Sequence, residues 1–279
     1  MMRHVSTIVW LSIATLICAL LFALFGGLLS DYAASQQNLL ARMRPPLLFG
    51  GDFEFPLGTD RLGRDLVARM AEGLRISLLI ALLGSVLGAL FGCTLGFVAA
   101  HFRGWVEETI MMIVDIQASL PFILIALTLL AFFGNSFGLL ILLMAMFGWD
   151  SYARLSRGVV LSAKSQPWAE AVRTLGVPPL ALYLRHVLPN VAGILIVQLT
   201  LNFPQIILLE SALSFLGLGI QPPMTSLGQI MGDGRDYLST SWWISVLPGL
   251  TIFLVSLAMC VLGDWLRDRL DPALQRVRQ

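Results

Sequence analysis

Residues 168–189 read WAEAVRTLGVPPLALYLRHVLP, a polar stretch set between two long apolar runs. Upstream, residues 137–160 are apolar as far as Trp149; downstream, residues 187–217 carry Glu210 as their only charge. A spanning helix needs about 20 mainly apolar residues at about 1.5 Å rise each. Two such runs joined by a short polar connection form a hairpin through a bilayer, so whatever the connection does, it does outside the hydrocarbon. Its pattern predicts a short helix over roughly 165–175, closed by Gly176, since glycine suits the left-handed residue that ends a helix. Small Ala171 permits close approach of a partner, and Glu170 can accept hydrogen bonds from one. A plain amphipathic helix lying on the membrane surface fits the same residues.

The rest of the chain extends this picture. Besides these two runs, residues 5–29, 76–100, 109–133 and 242–263 are long enough to span, and Asp115 is the only charge in these four. The expected fold is therefore all-α and integral to the membrane, with six transmembrane helices. Composition agrees: 57% of the 279 residues are hydrophobic and 13% charged, with a mean hydropathy of +0.82, whereas soluble domains carry about 25% charge. The first run is longer than the roughly 7–15 apolar residues of a signal peptide and has no convincing small-residue cleavage site after it, so it reads as a retained helix. A formal net charge of +1 favours neither nucleic acid nor an acidic partner. Cys18, Cys93 and Cys260 all sit in apolar runs without metal-ligand spacing and read as small apolar fillers.

Basic residues set the expected orientation. With both termini in the cytoplasm, eleven of the eighteen fall at the inner side, and six of the other seven lie in residues 30–75. That segment is long enough to weaken its own vote. The expected organisation is an N-terminal helix over 1–29, an extracytoplasmic segment with a short amphipathic helix over 30–75, and a core over 76–279 containing a cytoplasmic loop at 161–186.

Gly84, Gly88, Gly92 and Gly96 recur every four residues along the second run. Such a stripe lets a neighbouring helix approach closely, either within this chain, which is the preferred reading, or in a homodimer. Pro121, Pro204 and Pro248 interrupt the third, fifth and sixth runs and predict kinks. Asp115, Asp150 and Glu210 lie at membrane depth, where an ionisable group is costly unless paired or wetted. Asp150 has Arg154 four residues on, which predicts a local pair. Glu210 has no basic residue within a turn, so it is either part of a polar pathway or a clasp between helices.

Chemistry has few ingredients. His4, His101 and His186 are far apart, and HExxH, CxxC and the Walker A loop are all missing from the sequence. No catalytic, cofactor-binding or metal-ligating set emerges. Transport against a gradient would draw its energy from a partner or from ion coupling.

Five stretches carry a resemblance. Glu170-Ala171-Val172, three residues, Gly176, nine residues, His186, one residue and Leu188-Pro189 resemble the EAA loop of ABC-importer permeases, with Val172 in place of Ala and His186 in place of Ile. Phe55-Pro56-Leu57-Gly58-Thr59-Asp60-Arg61-Leu62-Gly63-Arg64-Asp65 resembles the HPLGTDxLGRD signature of the second permease in the peptide and nickel branch. Ser214 to Gly219 with Gln221-Pro222-Pro223 resembles its SFLGLGxQPP, and Leu262 to Asp268 with Leu270-Asp271-Pro272 its LGDxLRDxLDP tail. Trp149 with Tyr152-Ala153-Arg154 matches its WxxYAR element.

The resemblance implies a type I ABC-importer permease fold in a bacterial inner membrane. The implied partners are a homologous second permease, two ATP-binding cassette ATPases that hold the ATP and Mg, a periplasmic or lipid-anchored solute-binding protein, and membrane lipid. Glu170, Ala171 and Gly176 would dock on an ATPase, with Val172, Arg173 and His186 at the joint. Asp115, Glu210 and Ser214 would serve the translocation path or its gate. Gly58, Thr59, Asp60, Gly63, Arg64 and Asp65 would belong to the outer face that meets the binding protein and the other permease. The implied cargo is a di- or oligopeptide, with nickel or a metal chelate as the alternative. No histidine lies in the expected outer segments, although chelated metals need no protein ligand. An ion-coupled secondary transporter with Asp115 and Glu210 as proton relays, or a structural scaffold, remain different classes of answer.

Overall fold

In lipid every backbone polar group must be satisfied within the protein, so charge-free runs of this length fold as helices. The computed structural model describes residues 7–178 and 181–270, apart from the side chains of Glu170 and Arg173. Ten α-helices follow in order: α1 (Thr7–Phe25), α2 (Leu66–Phe102), α3 (Gly104–Ser119), α4 (Phe122–Phe133), α5 (Phe137–Met146), α6 (Trp149–Lys164), α7 (Pro167–Thr174), α8 (Leu188–Phe215), α9 (Leu227–Gly234) and α10 (Trp243–Leu270). Among the described residues, pairing of extended backbone is confined to an isolated bridge between Thr59 and Asp65.

Among the described residues, five helical stretches are long and apolar enough to cross a membrane. A sixth crossing exists if α3 and α4 count as one, for they meet at an 86° bend. The bend falls at Leu120–Pro121, as the proline predicts. Pro204 and Pro248, by contrast, sit inside continuous α8 and α10. The fourth crossing, α5 with α6, breaks at Gly148, where φ is +85° and a Cβ would sit 2.7 Å from the Asn202 side chain.

The second crossing departs from the sequence reading. No separate amphipathic helix precedes it; residues 26–65 carry 3₁₀ turns at Gly26–Leu29 (running in from α1), Leu39–Ala41 and Leu47–Phe49. The helix after the Gly58-Thr59-Asp60 turn is α2 itself, which starts at Leu66 rather than near 76 and runs 37 residues. Asp65 caps it, accepting from Val67 N at 3.3 Å and Ala68 N at 3.0 Å. Its first turns hold charges because those charges have partners. Arg75 donates from Nε to Ala23 O at 2.9 Å and from Nη2 to Leu24 O at 3.2 Å, satisfying carbonyls that the end of α1 leaves open.

The glycine stripe packs within the chain. A Cβ on Gly84 would lie 2.6 Å from Met144 Cβ, and one on Gly88 2.7 Å from Ala145 O. On Gly92 and Gly96 it would overlap Trp149 O and Ser156 Oγ. The stripe therefore brings α2 against α5 and α6. In return α6 turns Trp149, Tyr152, Ala153, Ser156, Val160 and Ala163 inward at three- and four-residue spacing. The main apolar core joins α1, α2, α4, α5, α8 and α10, and a second one gathers the C-terminal ends of α2 and α6 around α7 and the start of α8.

Candidate functional site

Three places hold the residues singled out in the sequence. The first is the segment between α1 and α2, where Gly58 and Gly63 adopt φ of +80° and +70° and a Cβ on them would collide with Arg44 O and Asn38 O. Those turns fold Asp60 inward. Its Oδ1 accepts from Leu62 N at 2.8 Å and Arg64 N at 2.9 Å; its Oδ2 accepts from Arg64 Nε and Arg69 Nη1, both at 2.6 Å. The two arginines reach on to Asp233 on α9, at 3.3 and 3.1 Å, and Arg69 also donates to Thr225 at 3.3 Å. Thr59 bonds Ala41 O at 2.5 Å, and its carbonyl accepts from Trp243 Nε1 at 3.2 Å. Thr59, Asp60, Asp65 and Arg69 are buried. The motif thus forms a knot that ties residues 38–65, α2, α9 and α10 together. Its polar side chains point inward, and the surface they support is formed by neighbours such as Arg61 and Arg42.

The second place is Glu210 on α8, which is fully buried. It sits in a box of serines. Ser214 Oγ donates to Oε1 at 2.7 Å, and Ser77 Oγ on α2 donates to Oε2 at 3.0 Å, with Ser211 Oγ at 3.5 Å. Each main partner then accepts from the connection after α8: Ile220 N to Ser214 Oγ at 3.4 Å, and Leu227 N to Ser77 Oγ at 3.3 Å. That connection starts with a paired helix ending, Gly217 N to Ser214 O and Leu218 N to Leu213 O, both 3.0 Å, with Gly217 at φ +83°. The SFLGLG residues are thus explained locally, and through two hydroxyls Glu210 holds Ile220 within the connection and Leu227 at its far end. Of the two sequence readings for Glu210, this geometry is that of a clasp between helices. Replacing Glu210 by Leu would strand Ser77 and Ser214 without an acceptor, at about 1–3 kcal/mol for each buried group left unsatisfied. We expect the 216–226 connection of Glu210→Leu to become protease-sensitive in the purified complex, while Glu210→Gln, which keeps a carbonyl acceptor, stays resistant.

Asp115 is elsewhere. It is 73% exposed and pairs with Arg154 at 3.2 Å, joining α3 to α6. The Arg154 partner is therefore Asp115 and not Asp150: although Asp150 is four residues away on the same helix, Arg154 reaches across to α3. A parallel tie joins Glu107 to Arg157. Among the described residues, His, Cys, Asp and Glu do not gather in threes.

The third place is α7. Pro167 starts it, and Gly176, at φ +76°, follows its end. Trp168 and Val172 pack into the second apolar core, and Ala169 is buried. Ala171 faces out, as does Leu175, which is 80% exposed. The backbones of Glu170 and Arg173 lie in α7, but their side chains fall outside the description. After Pro178 the chain enters a wide π-turn, Leu182–Val187, that continues into α8. Pro189 brings no N–H to that start, and the Asn190 side chain donates to His186 O at 2.7 Å instead. His186 lies in this turn, so the joint runs from α7 to a spanning helix through a few residues. Leu175 was not singled out by the sequence; its position just before the closing glycine is the signal that was there to read.

Apolar crossings, one of them bent at a proline, with a short helix at one end and an ion-pair knot at the other define a multi-spanning membrane protein, and solved type I permeases share its fold. One chain of the inward-facing MetNI methionine ABC transporter superposes with a TM-score of 0.55 at 19% identity, covering 71% of this chain and 96% of that one. A chain from an amino acid ABC transporter with histidines gives 0.53 at 15%, covering 72% and 93%. The sequence places it more closely: residues 92–276 match the binding-protein-dependent transport system inner membrane component family, and the chain belongs to that family. The di/tripeptide transport system permease protein DppC of Pseudomonas aeruginosa is 39% identical over 91% of this chain and 84% of its own length. The dipeptide permease DppC of Bacillus subtilis is 37% identical over 91% and 78%, and the oligopeptide permease OppC of Escherichia coli K12 34% over 94% and 85%. The chain is thus a multi-pass inner-membrane permease component of the DppC and OppC type.

Proposed function

We propose that this chain forms half of the translocation pathway of an ATP-driven importer for di- and oligopeptides delivered by a solute-binding protein. A homologous second permease forms the other half, and two ATP-binding cassette subunits supply the energy. Both termini and α7 lie in the cytoplasm. Relatives of this similarity over nine-tenths of the chain carry dipeptide and oligopeptide names, which supports a peptide cargo over nickel or a metal chelate.

The observation that carries the reading is the build of α7. Its inner side is anchored by Trp168 and Val172. Its outer side offers small Ala171 and the exposed Leu175 to a groove on an ATPase. Its far end leads through the π-turn into α8. Motion of a docked ATPase would therefore be passed to a span, and the Glu210 clasp would carry the shift of α8 on to α2 and the outer connection. Gly176 tests this. Trp there adds bulk at the joint and strains a left-handed residue, whereas Asn tolerates that backbone. In the reconstituted complex, Gly176→Trp should abolish ATPase stimulation by peptide-loaded binding protein and Gly176→Asn should retain it. Equal stimulation in both would remove α7 from the coupling route.

A further inference from the structure

A groove of about 700 Å³ lies between the second half of α2 and the start of α8, away from the knot and the clasp. Ala89, Cys93 and Phe97 wall it on one side, Leu188 and Leu195 on the other. Its polar groups gather at one end. His101 Nδ1 lies 3.0 Å from the Tyr183 hydroxyl, and Lys164 Nζ lies 3.3 Å from that hydroxyl and 5.8 Å from its ring centre. Lys164 also donates to Ala100 O at 3.0 Å, which fixes it beside the end of α2. Exposed Arg103 follows the lining residue Phe102, and exposed Arg185 follows the lining residue Leu184. The lining residues include no carboxylate.

An apolar slot with a basic, hydroxyl-bearing end has the shape and charge of a phospholipid tail and its phosphate. The walls alone do not select an occupant, because lipid tails are as apolar as leucine and a chain entering the groove gains only packing. Selection must come from the basic end, and basic pockets between spans at the cytoplasmic side suit anionic headgroups. We infer that the groove holds one acyl chain of an anionic phospholipid, with its phosphate against His101, Tyr183, Lys164 and Arg103. The inference rests on the proposed orientation, which puts this end at the cytoplasmic leaflet. It gives α2 and α8, the two helices joined by the Glu210 clasp, a lipid wedged between their inner halves.

The test uses the assembled complex, purified from membranes and exchanged into mixed phosphatidylglycerol and phosphatidylcholine carrying a photoactivatable tail. The expected result is labelling of residues 89–102 and 183–195 by phosphatidylglycerol, several-fold over phosphatidylcholine. Thr94→Trp, at an exposed lining position, should abolish the label by filling the groove, and Arg103→Gln should reduce the preference. Equal labelling by both lipids, or none, would overturn the inference. So would a disulfide between Thr94→Cys and a cysteine on the second permease, since a partner helix would then cover the groove. Recovery of the ATPases in the same preparation reports separately on the proposed function, so the two readings fail independently.

Discussion

Asp60→Ala is expected to destabilise the end of the chain built on this knot by about 3–5 kcal/mol, the usual cost of removing one partner from a buried ion pair. Asp60 is buried, and its carboxylate accepts from two backbone amides and two arginines. Taking it away leaves Arg69, itself 1% exposed, with Asp233 as its remaining charged partner. The loop that Asp60 organises also loses the 2.8 and 2.9 Å bonds that shape its turn. Because the knot ties residues 38–65 to α2, α9 and α10, the damage should spread beyond the loop. Asp52→Ala is the comparison: Asp52 also pairs with an arginine, Arg44, but at the surface, where such pairs contribute about 0–1 kcal/mol. Monodisperse yield from membranes and thermal unfolding of the purified chain should fall sharply for Asp60→Ala and hardly at all for Asp52→Ala. Similar behaviour of the two would show that the knot does not hold the outer segment.

Gly96→Leu should also be damaging, by a different route. A Cβ at this position would overlap Ser156 Oγ and sit against the backbone of Ala153 and Arg157. Backbone cannot rotate away as a side chain can, so α2 and α6 would have to separate. Overpacking of a fitted core costs about 1–3 kcal/mol, and here the displaced helices carry the main α2 seam. Gly158→Leu offers a control on α6 itself, since nothing lies within 4 Å of a Cβ there. Gly96→Leu should lose folded yield and co-assembly, and Gly158→Leu should keep both. If Gly96→Leu assembled normally, the seam would not be the packing surface described.

Much of this architecture could be read from the residues. Charge-free runs gave the spans, the four-residue glycine spacing gave the α2 seam, and Gly176 gave the end of α7. What the residues hid was pairing over long separations. Arg69, Glu72 and Arg75 look like surface charges, which set the expected start of the second span ten residues late. Two of them are consumed by partners on other elements, Arg69 by Asp60 and Asp233 and Arg75 by the end of α1. Arg154 pairs with Asp115 across 39 residues, a choice that helical periodicity cannot reveal. The PLGTD motif was visible as a motif, but its burial was not, because turns dense in Gly, Thr and Asp usually face water. The Glu210 box needed Ser77, which lies 133 residues away on α2.

The central claim is that this chain works as one permease within an ATP-driven assembly. Its most direct test is gentle purification from native membranes through a tag on this chain, followed by mass spectrometry of whatever accompanies it. The account predicts recovery of two P-loop ATPases with a second permease, and ATP-dependent peptide uptake when that assembly is reconstituted with its binding protein. Recovery of the chain alone or as a homo-oligomer, with uptake driven by a proton gradient and indifferent to ATP, would contradict it.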